Sequence, residues 1–477
     1  MKKLIYIVLI IGLFSCEEAL LEEPKSIGVE VFYNTKSEIE SALAASYDAI
    51  RKNSMNAIAL HESFADYQYG RGSWGPNSNY EGLNATNITR SESVWVDSYL
   101  AIRNANIVII NAPEGTELSD DEKSKAIAEA KFVRAFCYFD LVRNYKGVPI
   151  RTEDNFTEYE VGRDTEEAVW ELIVNDLKEA ENILPDDAPL PGRASRWSAK
   201  TVLADVYFYR GMNSEAAAKS NEVIESNKYT LVPVNVVEDY ANLFGPDVVT
   251  TSEEIFYKKF SHEQGDDYTM MLHHPGSGLC GAGGWYGLYT DIEQNNFMKN
   301  WTDMDDLRRQ LWYNWDIGLG ENTYLSLKFV DPEAPSYNNC ANDYPIYRYA
   351  DVLLMNAEAE CLASGNISNT TMERLNMVHR RAYGYDPTSA SPVDFNIADY
   401  NVDSFAELVV LERAKETQCE AKRWFDLKRL GVDKLKAIVK ESTGRDVLDK
   451  HLLYPIPVAE MEYNKAIDPI ADQNPGY

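Results

Sequence analysis

One stretch decides the fold class: residues 123–143 read KSKAIAEAKFVRAFCYFDLVR. Its apolar residues return at intervals of three and four, which is the spacing of side chains on one face of an α-helix. The residues of the two resulting apolar faces are Ala126, Ala130, Val133, Cys137 and Leu141 on the first, and Phe132, Phe136 and Phe139 on the second. A helix that is apolar on two faces has to be covered on both, as it is in a stack of helix pairs. The stretch therefore predicts a helical scaffold.

The same periodicity recurs on both sides of this stretch. Further predicted helices span residues 165–184, 198–210, 214–226, 349–364, 371–382 and 404–430. The helices at 198–210 and 214–226 form a pair, because the tight turn Gly211-Met212-Asn213 joins them. Recurring helix pairs with short turns are typical of tetratricopeptide-like units of about 34 residues. The predicted fold is therefore mainly α, with a tetratricopeptide-like helical-pair scaffold.

Helical periodicity fades in two stretches that combine glycine with aromatic residues. The first spans residues 61–87, and the second lies within about 241–344 and includes GSGLCGAGGWYGLY at 276–289. Long irregular segments in a compact protein are usually functional or disordered, and the aromatic content argues against disorder. We therefore expect one body at 36–477, with a helical scaffold at about 36–240 and 345–440 and a loop-rich aromatic lobe at about 241–344.

The N-terminus predicts the cellular compartment. Lys2 and Lys3 precede an apolar run at 4–14, which is too short to span a bilayer but has the length of a signal-peptide core. The run ends at Ser15-Cys16, which resembles a lipobox, so we predict a signal peptide at 1–15 and lipidation of Cys16. The acidic residues that follow, at 17–23, resemble the export signal of surface lipoproteins, and we interpret 16–35 as a lipidated acidic tether.

Composition argues against several classes of protein. A formal net charge of −30 is unsuited to nucleic-acid binding, because phosphate backbones require basic surfaces. The cysteines after Cys16 are odd in number and widely scattered, so they do not predict a disulfide framework, although Cys280 and Cys340 both lie in loop-like sequence and are candidates for pairing. His273-His274 has no carboxylate or cysteine at a ligand spacing, so we interpret it as part of a surface loop and predict no metal or other cofactor.

Several segments carry a more specific pattern. They read EAKFVRAFCYFDLVRNYKGVPI (129–150), WSAKTVLADVYFYRG (197–211), YRYADVLLMNAEA (347–359), HRRAYG (379–384), ERAKETQCEAKRWFDLKRLG (412–431), LYPIP (453–457) and QNPGY (473–477). In this order, and together with the lipobox, they resemble the SusD/RagB family of surface lipoproteins.

The resemblance implies both a fold and a role. It implies a SusD-like α-helical scaffold with four tetratricopeptide-like units and a loop-rich lobe that carries the ligand site. It also implies a lipid-anchored protein on the outer face of the outer membrane, which captures extracellular glycan and delivers it to a SusC-like TonB-dependent transporter. Family members place their ligand contacts in variable loops, so the resemblance assigns no binding residue in this chain.

Candidate binding residues follow instead from the chemistry of sugars. A sugar ring has apolar C–H faces, which aromatic rings cover, and a rim of hydroxyls, which polar side chains bind. The two aromatic loops contain this mixture. The candidate ligand-binding residues are Asp66, Arg71, Trp74 and Tyr80 from the first loop, and Trp285, Tyr286 and Tyr289 from the second. We interpret Trp301, Trp312 and Trp315 as core residues, because they lie near the ordered-looking segment Asp306-Leu307-Arg308.

Three other functions remain open at this point. The same import role with peptide as cargo is compatible with the resemblance. An enzyme is disfavoured, because the sequence has no G-x-S-x-G elbow, and the charged residues Glu412, Glu416, Glu420, Arg423 and Asp426 have the spacing of a helical ion-pair network rather than of a catalytic pair. A scaffold that covers a transporter without a ligand of its own is the third.

Overall fold

The computed structural model describes residues 32–477 apart from residues 53, 85, 86 and 282. The predicted signal peptide (1–15), the lipidation site Cys16 and the tether as far as residue 31 lie outside the described residues. Within the described part, no helix is both long enough and apolar enough to cross a bilayer.

Helices dominate the described chain. They are α1 (Lys36–Arg51), α2 (Ser54–Ser63), α3 (Gly75–Ser78), α4 (Ile88–Asn111), α5 (Asp120–Tyr145), α6 (Glu166–Ile183), α7 (Arg196–Tyr209), α8 (Asn213–Glu225), α9 (Ala241–Phe244), α10 (Asn296–Asn300), α11 (Tyr349–Ser364), α12 (Asn369–Ala382), α13 (Val402–Glu416), α14 (Arg423–Arg429), α15 (Val432–Thr443) and α16 (Val458–Tyr463). The strands are β1 (Tyr69–Gly70), β2 (Glu254–Lys258), β3 (Leu288–Asp291), β4 (Trp312–Asn314), β5 (Thr323–Ser326) and β6 (Tyr344–Arg348).

Helix α5 is the centre of the first half of the scaffold. Its N-terminus carries a capping box, in which Ser119 and Glu122 satisfy each other's free backbone N–H groups. The helix packs against α4 on one side and α6 on the other, so both of its apolar faces are covered: Tyr145 contacts Trp95 of α4, and Phe139 contacts Trp170 of α6. This two-sided packing confirms the prediction made from residues 123–143.

The remaining scaffold helices continue the stack. Helix α6 packs on α7, α7 on α8 and α8 on α11, which also contacts α12 and α13. The turn between α7 and α8 contains Gly211 at φ +71°, a left-handed conformation that favours glycine. The mainly helical architecture of packed helix pairs is confirmed, and residues 241–344 contain only short helices and strands.

The prediction of one continuous helix at 404–430 is wrong, because the structure has two helices there. The structure ends α13 at Glu416 and begins α14 at Arg423, and Cys419 and Ala421 between them adopt positive φ angles of 59° and 54°. Side chains from the first aromatic loop replace the helical hydrogen bonds. The Tyr67 hydroxyl accepts the N–H of Cys419 at 2.8 Å, and Glu62 accepts that of Ala421 at 2.6 Å. Contacts more than 350 residues apart in sequence therefore override the local periodicity.

A buried ion-pair network joins the lobe to the scaffold. Arg308 of the lobe pairs with Glu412 at 2.9 Å, and Lys328 of the lobe pairs with Glu420 at 2.5 Å. Both carboxylates are buried with their partners. Glu420 points into the protein because the chain turns at 417–422. The predicted charge network thus exists, but it extends beyond one helix and contributes to the attachment of the lobe.

Candidate functional site

Strand pairing brings the two predicted aromatic loops together. Strands β1 and β3 are antiparallel, with Tyr69 opposite Tyr289 and Gly70 opposite Leu288. The pairing continues one residue further, where the N–H of Arg71 donates to the carbonyl of Gly287 at 2.7 Å. The first loop therefore lies along the edge of the second, in a sheet with the order β1-β3-β5-β4.

Two candidates from the first loop are not available at the surface, which corrects the sequence-based choice. Asp66 is buried, and its carboxylate accepts from Arg423 at 2.7 and 2.8 Å and from Ser442 at 3.2 Å. Tyr80 is also buried, and its hydroxyl donates to the carbonyl of Phe64 at 2.7 Å. Both side chains hold the loop onto the protein core and are removed from the candidate set.

The other two first-loop candidates lie at the edge of the site. Trp74 is only 5% exposed, so its ring is not an open stacking surface, and the Arg90 guanidinium lies over it at 3.6 Å from the centroid. Arg71 is half-buried, and its guanidinium stacks on Tyr286 at 4.0 Å from the centroid. Arg71 is thus the first-loop candidate that the structure brings into contact with a second-loop candidate.

The second loop presents a group of rings that we call the aromatic platform. It consists of the row Tyr286, His274 and Trp315, together with Trp285, which directly precedes Tyr286 and lies 6.2 Å from the Tyr337 ring. The His274 ring lies 4.7 Å from Tyr286 and 5.3 Å from Trp315, at interplanar angles of 46° and 31°. Trp285 is 48% exposed, and the other three rings are half-buried. Because successive rings are tilted, the platform is a stepped surface rather than a flat one.

Tyr289 lies next to the platform rather than within it. Its half-buried ring is 5.7 Å from that of Tyr69, its partner across the β1–β3 pair. Burial raises the pKa of the Tyr289 hydroxyl, and the positive charges of Arg445 and Arg71 oppose that rise. Tyr289 therefore remains a protonated phenol that can donate a hydrogen bond at neutral pH.

Glycine at two positions allows the turn that exposes Trp285. Gly284 has φ +148°, and a Cβ atom there would lie 2.3 Å from the carbonyl oxygen of His273. A Cβ atom at Gly287 would lie 2.2 Å from the Met271 side chain. The resulting close turn is held by the N–H of Trp285, which donates to Met270 at 2.7 Å, and the N–H of Tyr286, which donates to His273 at 3.0 Å.

Trp315 was assigned to the core from its sequence neighbours, and this assignment is wrong. Trp301 and Trp312 are buried, as predicted, but Trp315 is half-buried and stacks near His274. No local signal distinguishes Trp315 from Trp312, because the ring that completes its environment is 41 residues earlier in the chain. His274 itself belongs to a surface loop, as predicted, but its contribution to the platform was missed.

The neighbouring His273 does not face the platform. It is buried, so the interpretation of His273 as part of a surface loop is wrong, and its Nε2–H donates to the carbonyl of Phe329 at 2.5 Å. Burial lowers the pKa of His273 to about 4, so it is neutral at physiological pH. Among the described residues, no group of three or more His, Cys, Asp or Glu side chains is arranged to hold a metal ion.

A partly open cavity of about 150 Å³ lies elsewhere, among the scaffold helices. Its lining includes the charged side chains Asp140, Arg143, Lys258 and Arg413. Ligand pockets usually measure about 300–1,000 Å³, so this cavity is too small for an oligomeric ligand. Compared with this cavity, the aromatic platform is the better candidate for an extended ligand, because it lies at the surface.

Comparisons with known proteins agree with this architecture. Residues 318–477 match the model described as "SusD family", and residues 20–208 match the model described as "Starch-binding associating with outer membrane". The chain belongs to the SusD/RagB family. The SusD-like protein P25 of Formosa agariphila is 25% identical over 99% of both chains. A SusD-like protein of Bacteroides ovatus is 28% identical over 75% of this chain and 59% of its own length.

Solved structures of SusD-like proteins share the fold. A SusD superfamily protein from Parabacteroides distasonis is 26% identical, covers 93% of this chain and 100% of its own, and superposes with a TM-score of 0.74. A protein described as a laminarin-binding SusD-like protein is 24% identical with the same coverage and a TM-score of 0.76. The SusD-like fold expected from the sequence motifs is therefore confirmed.

Proposed function

We propose that this SusD/RagB protein is a surface lipoprotein that binds extracellular glycan on the aromatic platform and delivers it to a SusC-like TonB-dependent transporter of the outer membrane. The observation that carries the proposal is the row of half-buried, tilted rings at Tyr286, His274 and Trp315, with the exposed ring of Trp285 directly before Tyr286 in the sequence. The starch-binding description of one matching family model and the laminarin-binding description of one structural relative support a glycan as ligand.

The shape of the platform suits a chain of sugar rings. An aromatic ring binds the C–H face of a sugar by apolar contact, while its edge leaves the hydroxyls free for polar partners. The planes of successive rings are tilted by 46° and 31°, which suits a glycan whose successive sugar units are rotated relative to one another. Arg71 and the Tyr289 hydroxyl supply donors at the same edge of the loop.

The anchor and the partner belong to the same proposal. The lipobox at Cys16 and the acidic residues at 17–23 support lipidation and export to the outer face of the outer membrane. The matching family model that is described as associating with the outer membrane covers residues from 20 onward. The transporter partner follows from family membership, since SusD-like proteins work with SusC-like barrels.

A binding role is also supported by the state of the conspicuous carboxylates. Glu412, Glu416 and Glu420 are buried and paired with basic side chains, so none of them is positioned to protonate or attack a bound substrate. A glycosidase needs two carboxyl groups that flank the scissile bond. The platform is made of rings and glycines and offers no such pair, so we propose no catalytic step.

The proposal predicts which side chains control affinity. In calorimetric titrations of the mature chain with neutral polysaccharides such as laminarin and starch, acidic polysaccharides and a peptide digest, at least one glycan is expected to bind. Trp285→Ala and Trp315→Ala are each expected to weaken that binding about tenfold, because each removes one stacking face. Tyr463→Ala, which removes a ring that is 83% exposed on α16, should leave affinity unchanged.

Three outcomes would contradict the proposal. Binding of the peptides without binding of any glycan would indicate peptide cargo. Unchanged glycan affinity in both tryptophan variants would remove the platform as the site. If no ligand binds, the result would favour the scaffold role, in which the protein covers the transporter without a ligand of its own.

A further inference from the structure

Three arginines at the candidate site are each stacked on an aromatic ring. The Arg90 guanidinium lies 3.6 Å from the centroid of Trp74, that of Arg71 lies 4.0 Å from Tyr286, and that of Arg445 lies 4.3 Å from Tyr69. All three arginines are half-buried. Stacking on a ring holds the planar guanidinium in one orientation, so its N–H edge is preorganised for a planar acceptor.

None of these three guanidiniums lies within 4.0 Å of a carboxylate oxygen in the described part of the chain. Among the described residues, Arg90 donates only to Ser73, at 2.7 and 2.8 Å, and Arg445 donates to the carbonyl of Ser78 at 2.7 Å. The Arg71 guanidinium has no hydrogen-bond partner among the described residues. Most other arginines are paired, as Arg423 is with Asp66. Arg103, Arg151, Arg163 and Arg309 also lack an ion pair among the described residues, so what sets the three apart is that they stack on rings at the candidate site.

The absence of paired carboxylates is significant in a chain of this composition. The protein has 76 acidic residues against 46 lysines and arginines, so acidic side chains are abundant. The carboxylate that acts on Tyr289, Asp291, is buried and accepts the N–H groups of Glu293 and Gln294. It is therefore engaged in a turn and does not neutralise the arginines.

The three arginines surround one part of the surface. Arg71 follows β1 directly and is bonded to Gly287, next to the platform. Trp74, under Arg90, is also adjacent to Gly287, because a Cβ atom there would lie 3.6 Å from its ring. Arg445 covers Tyr69, which pairs with Tyr289. Both Arg71 and Arg445 are close enough to Tyr289 to lower the pKa of its hydroxyl.

We propose that the glycan bound at the platform is anionic, carrying carboxylate or sulfate groups that Arg71, Arg90 and Arg445 bind. This inference rests on the proposed function and specifies its ligand class. The N–H fork of a guanidinium matches carboxylate and sulfate geometry, and such charge-assisted bonds are stronger than those to hydroxyls. An anionic ligand would also provide the negatively charged partner that these three arginines lack among the described residues.

The test compares anionic with neutral polysaccharides on the full mature chain. Polygalacturonate and a sulfated galactan are the anionic probes, and laminarin and an unsulfated galactan are the neutral ones. We expect at least one anionic probe to bind about tenfold more tightly than either neutral probe, with an affinity that falls as ionic strength rises. Arg71→Gln and Arg90→Gln are each expected to weaken anionic binding about tenfold, and Arg71→Lys less, because it keeps the charge but loses the fork.

The control removes the same charge elsewhere. Arg103→Gln alters an exposed arginine that lies on α4 about 20 Å along the helix from Arg90, and it should leave binding unchanged. Tighter, salt-independent binding of a neutral probe that is unaffected by Arg71→Gln would overturn the anionic class and leave the proposed function standing. Failure of all four probes to bind would instead contradict the proposed function itself.

A second, independent observation concerns the base of the aromatic loop. The Sγ atoms of Cys280 and Cys340 lie 2.8 Å apart, and both side chains are fully buried. Backbone bridges fix both residues: Cys280 pairs with Asp331, and Cys340 pairs with Asp266. A disulfide needs an S–S distance of about 2.05 Å, so bond formation requires a movement of less than about 1 Å.

We infer that Cys280 and Cys340 form a disulfide in the exported protein. The oxidant would be a disulfide-bonded thiol oxidoreductase of the cell envelope, acting before the two thiols are buried. One thiolate attacks the oxidant's disulfide to form a mixed disulfide, and the second thiolate displaces the oxidant's thiol. The pair loses two electrons and two protons, and the oxidant leaves as a dithiol. The bond would close the segment that contains every ring of the platform except His274.

Mass spectrometry distinguishes the two states of the pair. The chain is secreted into an oxidising compartment, denatured without reductant in the presence of iodoacetamide, and digested. We expect a cross-linked peptide containing Cys280 and Cys340, with Cys137, Cys361 and Cys419 alkylated as internal controls for buried cysteines. Alkylation of all five thiols would overturn the inference. Reduction before alkylation should label all five in either case.

Discussion

Replacing Arg348 with methionine is expected to lower the free energy of unfolding by about 3–5 kcal/mol. Arg348 is fully buried and pairs with Glu416 at 2.5 Å and with Glu420 at 2.8 Å. Methionine fills a similar volume but carries no charge, so the carboxylates lose a partner without regaining water. The loss of stability comes from leaving the buried carboxylates unpaired. This free-energy cost is larger than the net contribution of the ion pair to folding.

Chemical denaturation of the mature chain measures this effect. The matched control is Arg196→Met, because Arg196 pairs with Asp186 at 3.0 Å and the two side chains are 37% and 53% exposed. Exposed ion pairs contribute about 1 kcal/mol or less, so the control should remain within that range. An equal loss of stability in the two variants would show that burial does not determine the contribution of Arg348.

The position of this network explains why its loss should affect the ligand site. Arg308 and Lys328 come from the lobe, whereas Glu412, Glu416 and Glu420 belong to the scaffold. The lobe has few helices or long strands of its own, so much of its attachment depends on these contacts. The network therefore contributes to holding the platform in a fixed orientation.

The scaffold was predictable because its signal is local. In α5 the spacing of Ala130, Val133 and Cys137 defines an apolar face within a few turns, and the packing simply covers it. The exposure of Trp285 in the glycine-rich segment was also predictable. Gly284 and Gly287 admit a close turn, and Trp285 within it stays at the surface.

The details of the site were not predictable from spacing. Asp66 and Tyr80 lie in an aromatic loop, yet Arg423 binds the first, and Phe64 and Trp424 pack against the second. Partners hundreds of residues away decide whether a polar or aromatic side chain is buried. The break at Cys419 has the same origin, because the Tyr67 hydroxyl takes over a backbone N–H that a helix would otherwise use.

The proposed preference of the site for an anionic ligand follows the same rule. Nothing in the sequence near Arg71, Arg90 or Arg445 distinguishes them from paired arginines. Their lack of a carboxylate partner becomes visible only when the positions of all acidic side chains in the described chain are known. The sequence of the aromatic loops shows no cluster of basic residues, because Arg90 and Arg445 reach the site from outside them.

The protein is expected to lose stability as the pH falls below about 4.5. Burial raises the pKa of Glu416, but Arg381, Arg348 and Arg308 together lower it by more, to about 2. A carboxyl group whose pKa is lower in the folded than in the unfolded state binds fewer protons when folded. Its contribution is therefore complete above its ordinary pKa of 4.5 and is lost as the pH falls towards 2.

Glu416 alone accounts for about 3 kcal/mol of this loss, since each pKa unit corresponds to about 1.4 kcal/mol. Glu412 and Glu420 act in the same direction, because neighbouring basic side chains outweigh burial and lower their pKa values as well. Buried histidines such as His61, whose pKa burial lowers to about 4, add a loss that begins at higher pH. A variant is therefore needed to isolate the contribution of the network.

Glu416→Gln provides that comparison in urea denaturation at pH 7, 5 and 3. At pH 7 the variant should be less stable than the wild type, because glutamine cannot neutralise Arg348 and Arg381. It has no proton to gain at this position, so its free energy of unfolding should fall less between pH 5 and 3 and approach that of the wild type. Parallel curves for the two proteins would mean that Glu416 keeps an ordinary pKa despite its buried partners. Convergence would show that ionised Glu416 stabilises the junction between lobe and scaffold and that this stabilisation fails in acid.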